Sequence, residues 1–229
     1  MKVLIVVPCY NEEKNIERTI EGIIEKGYDY VIIDDGSKDA SLEIARKNDY
    51  HVIHLSNNLG IGGAMQTGYR YAARNGYDVA VQIDGDGQHN VEEVDKLIQP
   101  IRDGACSMVI GSRFIDNKGF QSSAMRRVGI RFLSWLMKLF SGQEILDMTS
   151  GFRAIDKSLI RRFSDRYPSE YPEPVTNLQV TKLGYKIKEV PAMMNERQQG
   201  RSSIFGIKNV YYMLNVIFQL ILIQLSGEN

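Results

Sequence analysis

Asp84 and Asp86, in the run Ile83-Asp84-Gly85-Asp86-Gly87-Gln88-His89, are the residues whose types and spacing point most directly to chemistry. They follow an apolar run, Tyr77 to Gln82, in which Val79 and Val81 alternate as in a short buried strand, and they precede Asn90, which can cap a helix. Two carboxylates therefore fall at the carboxyl end of a strand, the edge of an open α/β sheet where ligands bind. If the strand persists they project the same way, and Gly85 and Gly87 permit turns that other residues resist. Carboxylates so placed repel each other unless a cation lies near. A hard divalent ion with oxygen ligands answers that need, and Mg²⁺ is usually held by one or two carboxylates plus substrate phosphates. Alone, Asp-x-Asp more often marks a solvated acidic turn, so the elements that carry it must decide.

Those elements repeat. Val3 to Val7 reads as a strand buried on both faces, ended by Pro8. Asn11 can cap a helix with Ile16, Ile20, Ile23 and Ile24 on one face, closed by Gly27. Tyr30 to Ile33 is a second strand leading into Asp34-Asp35-Gly36-Ser37, and a helix from about Asp39 follows. His51 to Leu55 is a third strand, and Asn57 to Gly63 is a glycine-rich turn opening a helix faced by Ile61, Ala64, Met65, Gly68 and Ala72. That turn lacks dinucleotide-fingerprint spacing, because Met65 takes the third glycine's place, and it reads as close helix packing. After the acidic loop, Asn90 with Glu93 resembles a capping box, and Cys106 to Ile110 is a fifth strand. This alternation predicts a mostly parallel sheet with helices on both faces.

Beyond Ser112 the regularity lapses. Residues 112–125 read as a loop, Arg126 to Phe140 as a helix, and Phe152 to Ile155 as an added strand. Tyr171 to Pro174 reads as a turn into a helix over Val175 to Leu183, and Tyr185 to Val190 as a last strand.

The 229 residues suit one α/β domain, and 28 basic against 28 acidic residues, without long single-sign runs, argue against a nucleic-acid partner. Cys9 and Cys106 suggest buried free thiols and a reducing compartment. The short apolar start does not read as a signal peptide, so the expectation is a cytoplasmic protein. Residues 205–229 are set apart from 1–204 by composition. Val210 to Leu225 is nearly all apolar, yet as a helix it spans only ~24 Å against a hydrocarbon core of ~30 Å. Lys208, Tyr212, Asn215 and Gln219 share one face and leave a wide apolar surface. Packing on the domain or in a homodimer, and docking on a membrane surface or membrane-protein partner, are equally open readings.

Three turns at the predicted sheet edge are chemically loaded: Pro8-Cys9-Tyr10-Asn11-Glu12-Glu13, Asp34-Asp35-Gly36-Ser37 and Asp84 to His89. In this order, after successive strands, they resemble family 2 glycosyltransferases with the Rossmann-like GT-A fold. Gly111-Ser112-Arg113, Asp147 to Arg153, and Arg197-Gln198-Gln199-Gly200-Arg201-Ser202 resemble the branch that acts on dolichol and polyprenol phosphates. The resemblance covers the chain to about residue 205. It implies that Pro8, Tyr10 and Glu12 line the nucleotide and that Asp35 bonds its base or ribose. It further implies Asp86 and Gln88 as ligands of Mg²⁺ or Mn²⁺, with Asp84 and Gly85 close to the sugar or the metal's water shell. Arg113 and Arg197 match arginines that face the diphosphate or an acceptor phosphate. A lysine common in that branch is replaced by Ser203, which leaves one phosphate contact missing or supplied by Arg201.

The implied activity is metal-dependent transfer, with inversion, from a nucleotide-diphosphate sugar to a polyprenyl phosphate or a glycan hydroxyl. The implied place is the inner face of the cell membrane. A phosphate acceptor is already nucleophilic, whereas a hydroxyl needs a base within reach; Asp147 and Glu173 are the two candidates. His89 lacks a second histidine at ligand spacing, and His51 and His54 fit a strand face. Two rivals remain: a sugar-phosphate nucleotidyltransferase, which would want a glycine-rich basic turn after the first strand, and a noncatalytic membrane-complex subunit.

Overall fold

The structure, a computed structural model, describes residues 1–116, 124–195 and 207–226, with side chains throughout except at 124–126 and 207–211. The amino-terminal half alternates as its apolar pattern predicts. It runs through β1 (Val3–Cys9), α1 (Ile16–Glu25), β2 (Asp29–Asp34), α2 (Ser41–Lys47), β3 (Val52–His54), α3 (Gly60–Arg74) and β4 (Val79–Gln82). After a 3₁₀ turn (Val91–Glu93) come α4 (Val94–Arg102), β5 (Met108–Ser112), α5 (Ala124–Ser141), β6 (Arg153–Asp156), α6 (Lys157–Asp165), α7 (Pro172–Lys182), β7 (Ile187–Pro191) and α8 (Ile207–Ser226).

The seven strands form one sheet in the order β3-β2-β1-β4-β6-β5-β7. Only β6 runs against its neighbours, β4 and β5. Apolar side chains on both strand faces make two cores. Ile5, Val7 and Ile32 pack with Ile16, Ile20 and Ile23 of α1 and with Leu97 and Ile98 of α4. On the other face Leu4, Val6 and Ile33 meet Met65 and Tyr69 of α3, Phe163 of α6, Met137 of α5, and Val216 and Leu220 of α8. Each such buried aliphatic contributes roughly 1.5–3 kcal/mol relative to exposure.

Glycines in α3 allow its close seating. A Cβ on Gly68 would lie 2.2 Å from Val6 Cγ1, and one on Gly62 would lie 2.1 Å from the Pro168 carbonyl oxygen. The glycine-rich turn is thus a packing device.

Several local expectations change. Asn11 does not cap α1; it sits at φ 57°, and its side chain accepts from the Lys38 N–H at 2.8 Å, so it joins two loops. Asn90 caps the 3₁₀ turn through the Glu92 N–H, while Glu93 turns inward and pairs with Lys96 at 2.6 Å instead of closing a capping box. Helix α7 begins at Pro172, before Val175, because proline is preorganised for the first helical turn; Glu173 therefore lies in a helix rather than a free turn. Helix α6 was not anticipated, although Asp156 accepts from the Ser158 and Leu159 N–H groups as an N-cap does.

Helix α8 has 20 residues, long enough to reach ~30 Å, but Val216 and Leu220 are committed to the larger core. Its opposite face leaves Leu214, Phe218, Leu222 and Leu225 exposed. Helix α5 crosses it where Gly129 faces Met213, and exposes Val128, Phe132, Trp135 and Leu139 at helical spacing. Among the described residues no helix is long and apolar enough to cross a membrane.

Candidate active site

In this sheet β1 has β2 on one side and β4 on the other, so the connection order reverses there and opens a crevice at the strands' carboxyl ends. Three loaded loops meet at that edge. Pairing with β1 continues past the end of β4, through Ile83 N–H to Val6 O at 3.1 Å and Gly85 N–H to Pro8 O at 3.2 Å. Asp35 N–H donates to Cys9 O at 2.8 Å, Asn11 N–H to Ser37 Oγ at 3.0 Å, and Glu12 N–H to Ser41 Oγ at 2.8 Å. Pro8 is buried, Tyr10 is exposed, and Glu12 is half-buried and accepts from Asn15 Nδ2 at 2.9 Å. Gly85 sits close against β1: a Cβ there would lie 3.2 Å from Pro8 O, a tight contact that the backbone would have to ease by a few tenths of an ångström. Cys9 lies in this edge but is inert: burial, then the Asp34 carboxylate, push its thiol up to about 12.

The acidic loop is braced from beneath. Asp84 Oδ1 accepts from Gln82 Nε2 at 2.9 Å, and its N–H donates to His89 Nδ1 at 3.0 Å. The buried His89 ring stacks on Phe152 with centroids 4.9 Å apart. Asp86 Oδ1 accepts from the Gln88 N–H at 3.0 Å across Gly87, whose φ is 75°. Asn195 N–H reaches Gln88 O at 2.8 Å, and His89 bridges to Met194. Gly151 presses on the carboxylate: a Cβ there would lie 2.9 Å from Gln82 Nε2 and 3.2 Å from Asp84 Oδ2. Asp84, Asp86 and Gln88 offer oxygen donors from one short loop, each partly exposed, and the amide on Asp84 is neutral. That donor set fits Mg²⁺ or Mn²⁺.

Arg113, at the end of β5, points its guanidinium at Asp147. Nε meets Oδ2 and Nη2 meets Oδ1, each at 2.7 Å, and Nη2 also reaches Thr149 Oγ1 at 3.1 Å. The Arg113 N–H adds a third bond to Asp147 Oδ2 at 3.1 Å. Asp147 is 0% exposed. Its own N–H and that of Leu146 donate to Glu189, whose carboxyl burial pushes up against those two donors. Burial would lower the Arg113 pKa, but the Asp147 carboxylate outweighs it and the net shift is upward. The structure thus brings Asp147 to the site as Arg113's partner.

Asp35 is buried and accepts from the Leu59 N–H at 2.7 Å at the start of α3; burial raises its carboxyl pKa, and the Leu59 and Gly60 amides oppose the rise. Asp34, beside it, pairs with His54 Nδ1 at 2.7 Å, which explains His54 on its strand. Glu173 is half-buried in the first turn of α7, near Tyr69 and Tyr167. Arg197, like Arg201 and Ser203, lies outside the described residues.

Sequence reasoning missed Arg153. It is 1% exposed, with Nε and Nη2 on Ser150 O at 3.2 and 2.7 Å and Nη1 on Thr176 Oγ1 at 2.9 Å. It therefore pins the turn that Gly151 presses against Asp84. An arginine inside the apolar run Phe152 to Ile155 was the available signal. Nearby Gln82 Oε1 is buried and finds no hydrogen-bond partner among the described residues.

A parallel-dominated sheet with an acidic loop at its switch point defines a GT-A-type transferase fold. The model of glycosyl transferase family 2 matches residues 4–165, and the chain belongs to that family and is a glycosyltransferase. It is 31% identical to the UDP-N-acetylglucosamine–dolichyl-phosphate N-acetylglucosaminyltransferase of Methanococcus voltae, over 93% of this chain and 94% of that protein. It is also 31% identical to the undecaprenyl-phosphate mannosyltransferase of Micrococcus luteus, over 90% of this chain and 88% of that protein. Among solved structures, glucosyl-3-phosphoglycerate synthase of Mycobacterium tuberculosis superposes with a TM-score of 0.73 at 19% identity, covering 98% of this chain and 80% of its own. A complex of that enzyme with Mn²⁺, uridine diphosphate and its product gives 0.70.

Proposed function

We propose that this protein is an inverting, divalent-cation-dependent hexosyltransferase that moves a sugar from a nucleotide diphosphate to the phosphate of a polyprenyl lipid. The observation that carries the acceptor choice is the engagement of Asp147. A hydroxyl acceptor needs a free base within reach, and both Asp147 oxygens are on Arg113, while Glu173, the other candidate, is held in the first turn of α7 and has a partner of its own. A phosphate needs no base. Beside Arg113, a groove of about 700 Å³ runs along α5 from Phe114, walled by Ile130, Trp135 and Leu146 and edged by Arg127 and Arg131, with Lys138 paired to Glu144 at 3.0 Å. Basic edges and apolar walls match a phosphate on a hydrocarbon chain, and the names of the two relatives, with their dolichyl and undecaprenyl phosphates, agree.

In this reading Pro8, Tyr10 and Glu12 line the donor nucleotide. Asp35 acts beside it by fixing the start of α3. A divalent cation, held by Asp86 and Gln88 with Asp84 at its margin, would neutralise charge on the departing diphosphate. Arg113, oriented by Asp147, and Arg197 face phosphate oxygens. An acceptor phosphate oxygen forms the new bond to the anomeric carbon from the side opposite the diphosphate. The old carbon–oxygen bond breaks, its electrons leave with the diphosphate, and the configuration inverts. The exposed stripes of α5 and α8 would set the groove against the inner face of the cell membrane.

Transfer from a panel of nucleotide sugars, with Mn²⁺ or Mg²⁺, onto polyprenyl phosphate or the matching polyprenol tests this directly. Polyprenyl phosphate alone should be consumed, with inverted product by NMR, and Asp86→Ala should lose at least about a hundredfold in turnover. Equal turnover in Asp86→Ala would remove the cation's role, and equal use of the alcohol would remove the phosphate acceptor. Release of pyrophosphate from a nucleoside triphosphate would favour a nucleotidyltransferase instead.

A further inference from the structure

On the face of the sheet that carries α3, a second cavity opens between α6, α7 and α8, with a volume of about 360 Å³. It shares no lining residue with the α5 groove. Its size falls at the lower end of ligand sites, roughly 300–1,000 Å³. Arg162, in the last turn of α6, and Arg166, just beyond that helix, edge it. Both are exposed at the surface. Phe163, Val175, Leu222 and Ile223 form apolar walls. At the same end of α8, Lys182 Nζ lies 3.0 Å from Ile223 O and brings a third positive charge close by. Glu170 is the one carboxylate among the lining residues.

Leu222 belongs both to the cavity wall and to the exposed stripe that continues through Phe218 and Leu225. A ligand with an anionic head and a hydrocarbon tail satisfies both parts: the head meets the two guanidinium groups and the tail leaves along α8. A bilayer supplies such molecules at the surface where an exposed apolar helix face would lie. We propose that this cavity binds the phosphate head group of an anionic glycerophospholipid, with its acyl chain against Leu222 and Phe218. The site is separate from the acceptor groove, and its test needs no turnover, so either reading can fail alone.

The test is flotation of the full chain on phosphatidylcholine vesicles with and without phosphatidylglycerol. Arg162→Ser/Arg166→Ser should lose roughly tenfold or more of the affinity gained from phosphatidylglycerol. Arg46→Ser/Arg161→Ser removes the same charge from exposed positions outside the cavity and should keep it within about twofold. Gln219→Trp, which fills the cavity without changing charge, should weaken it as the first pair does. Equal losses in the two arginine pairs would reduce the effect to general surface charge and overturn the proposal. So would wild-type binding by Gln219→Trp. Displacement from these vesicles by soluble glycerol 3-phosphate at matched phosphate concentration would assign the cavity to a free phosphate ester and overturn the lipid assignment.

Discussion

Asp147 shows how a residue's surroundings select among its chemistries. A carboxylate beside a sugar pocket can be a base, but one sealed from water and held by a bidentate guanidinium keeps its partner's geometry instead. Asp147→Asn should therefore destabilise the fold by roughly 3–5 kcal/mol, because the buried Arg113 charge is left uncompensated. In a urea double-mutant cycle, Arg113→Met should recover part of that loss. Full stability with lost turnover in Asp147→Asn would instead mark a base.

Asp39 offers a pH test at the same scale. Burial would raise its pKa, but bonds from the Ser41 hydroxyl and from the Ser41 and Glu13 N–H groups outweigh it, and the net shift is downward. A depressed carboxyl stabilises the fold above its unfolded value, near 3.8, and that contribution disappears as pH falls through the folded value. Asp39→Asn should be less stable than wild type by about 1 kcal/mol at neutral pH. Urea midpoints should converge only once the pH has fallen below the folded Asp39 value, itself below 3.8, where both side chains are neutral. A gap independent of pH would mean that the carboxylate's charge is irrelevant.

At the scale of elements, the strands and helices up to β5 were legible because one rule, apolar runs alternating with amphipathic stretches, governs them all. The convergence of the loops after β1, β2 and β4 followed from that order. What escaped was decided by partners distant in sequence. Reversed β6 carries a buried arginine because Ser150 and Thr176 receive it, and no local pattern announces those acceptors. Asn11 looked like a cap, yet the Lys38 N–H, 27 residues away, claims its side chain. The Asp147–Arg113 pair spans 34 residues, so Asp147's type was legible and its task was not.

Glycines separate the same two kinds of information. Gly62 faces the rigid Pro168 and Ser169 backbone, so Gly62→Ala should cost about 1–3 kcal/mol and open the 166–171 loop to proteolysis. Gly22, inside α1, meets only Val91 Cγ2 at 3.8 Å, and Gly22→Ala should gain about 0.5–1 kcal/mol through helix propensity. Urea unfolding of the pair checks both signs; equal effects would show that α3 is not seated by its glycine.

For the whole molecule, α8 packs on the domain through one face and leaves the other, whose covering its composition leaves open, turned outward. Val216 and Leu220 close the larger core, while Leu214, Phe218, Leu222 and Leu225 face outward, so one helix both packs and presents an apolar surface. Removing residues 205–229 would uncover the core along with the outer stripe, and loss of membrane binding would then say little. Substitution by face separates the two roles. Phe218→Asp/Leu225→Asp and, on α5, Phe132→Asp/Trp135→Asp should abolish flotation on neutral vesicles, with stability unchanged within about 0.5 kcal/mol. Val216→Asp should unfold the domain, since an unpaired charge enters a dry core. If the outward pairs float like wild type, the stripes do not meet a bilayer; if those pairs also self-associate less in sedimentation, a second copy of the chain is what covers them.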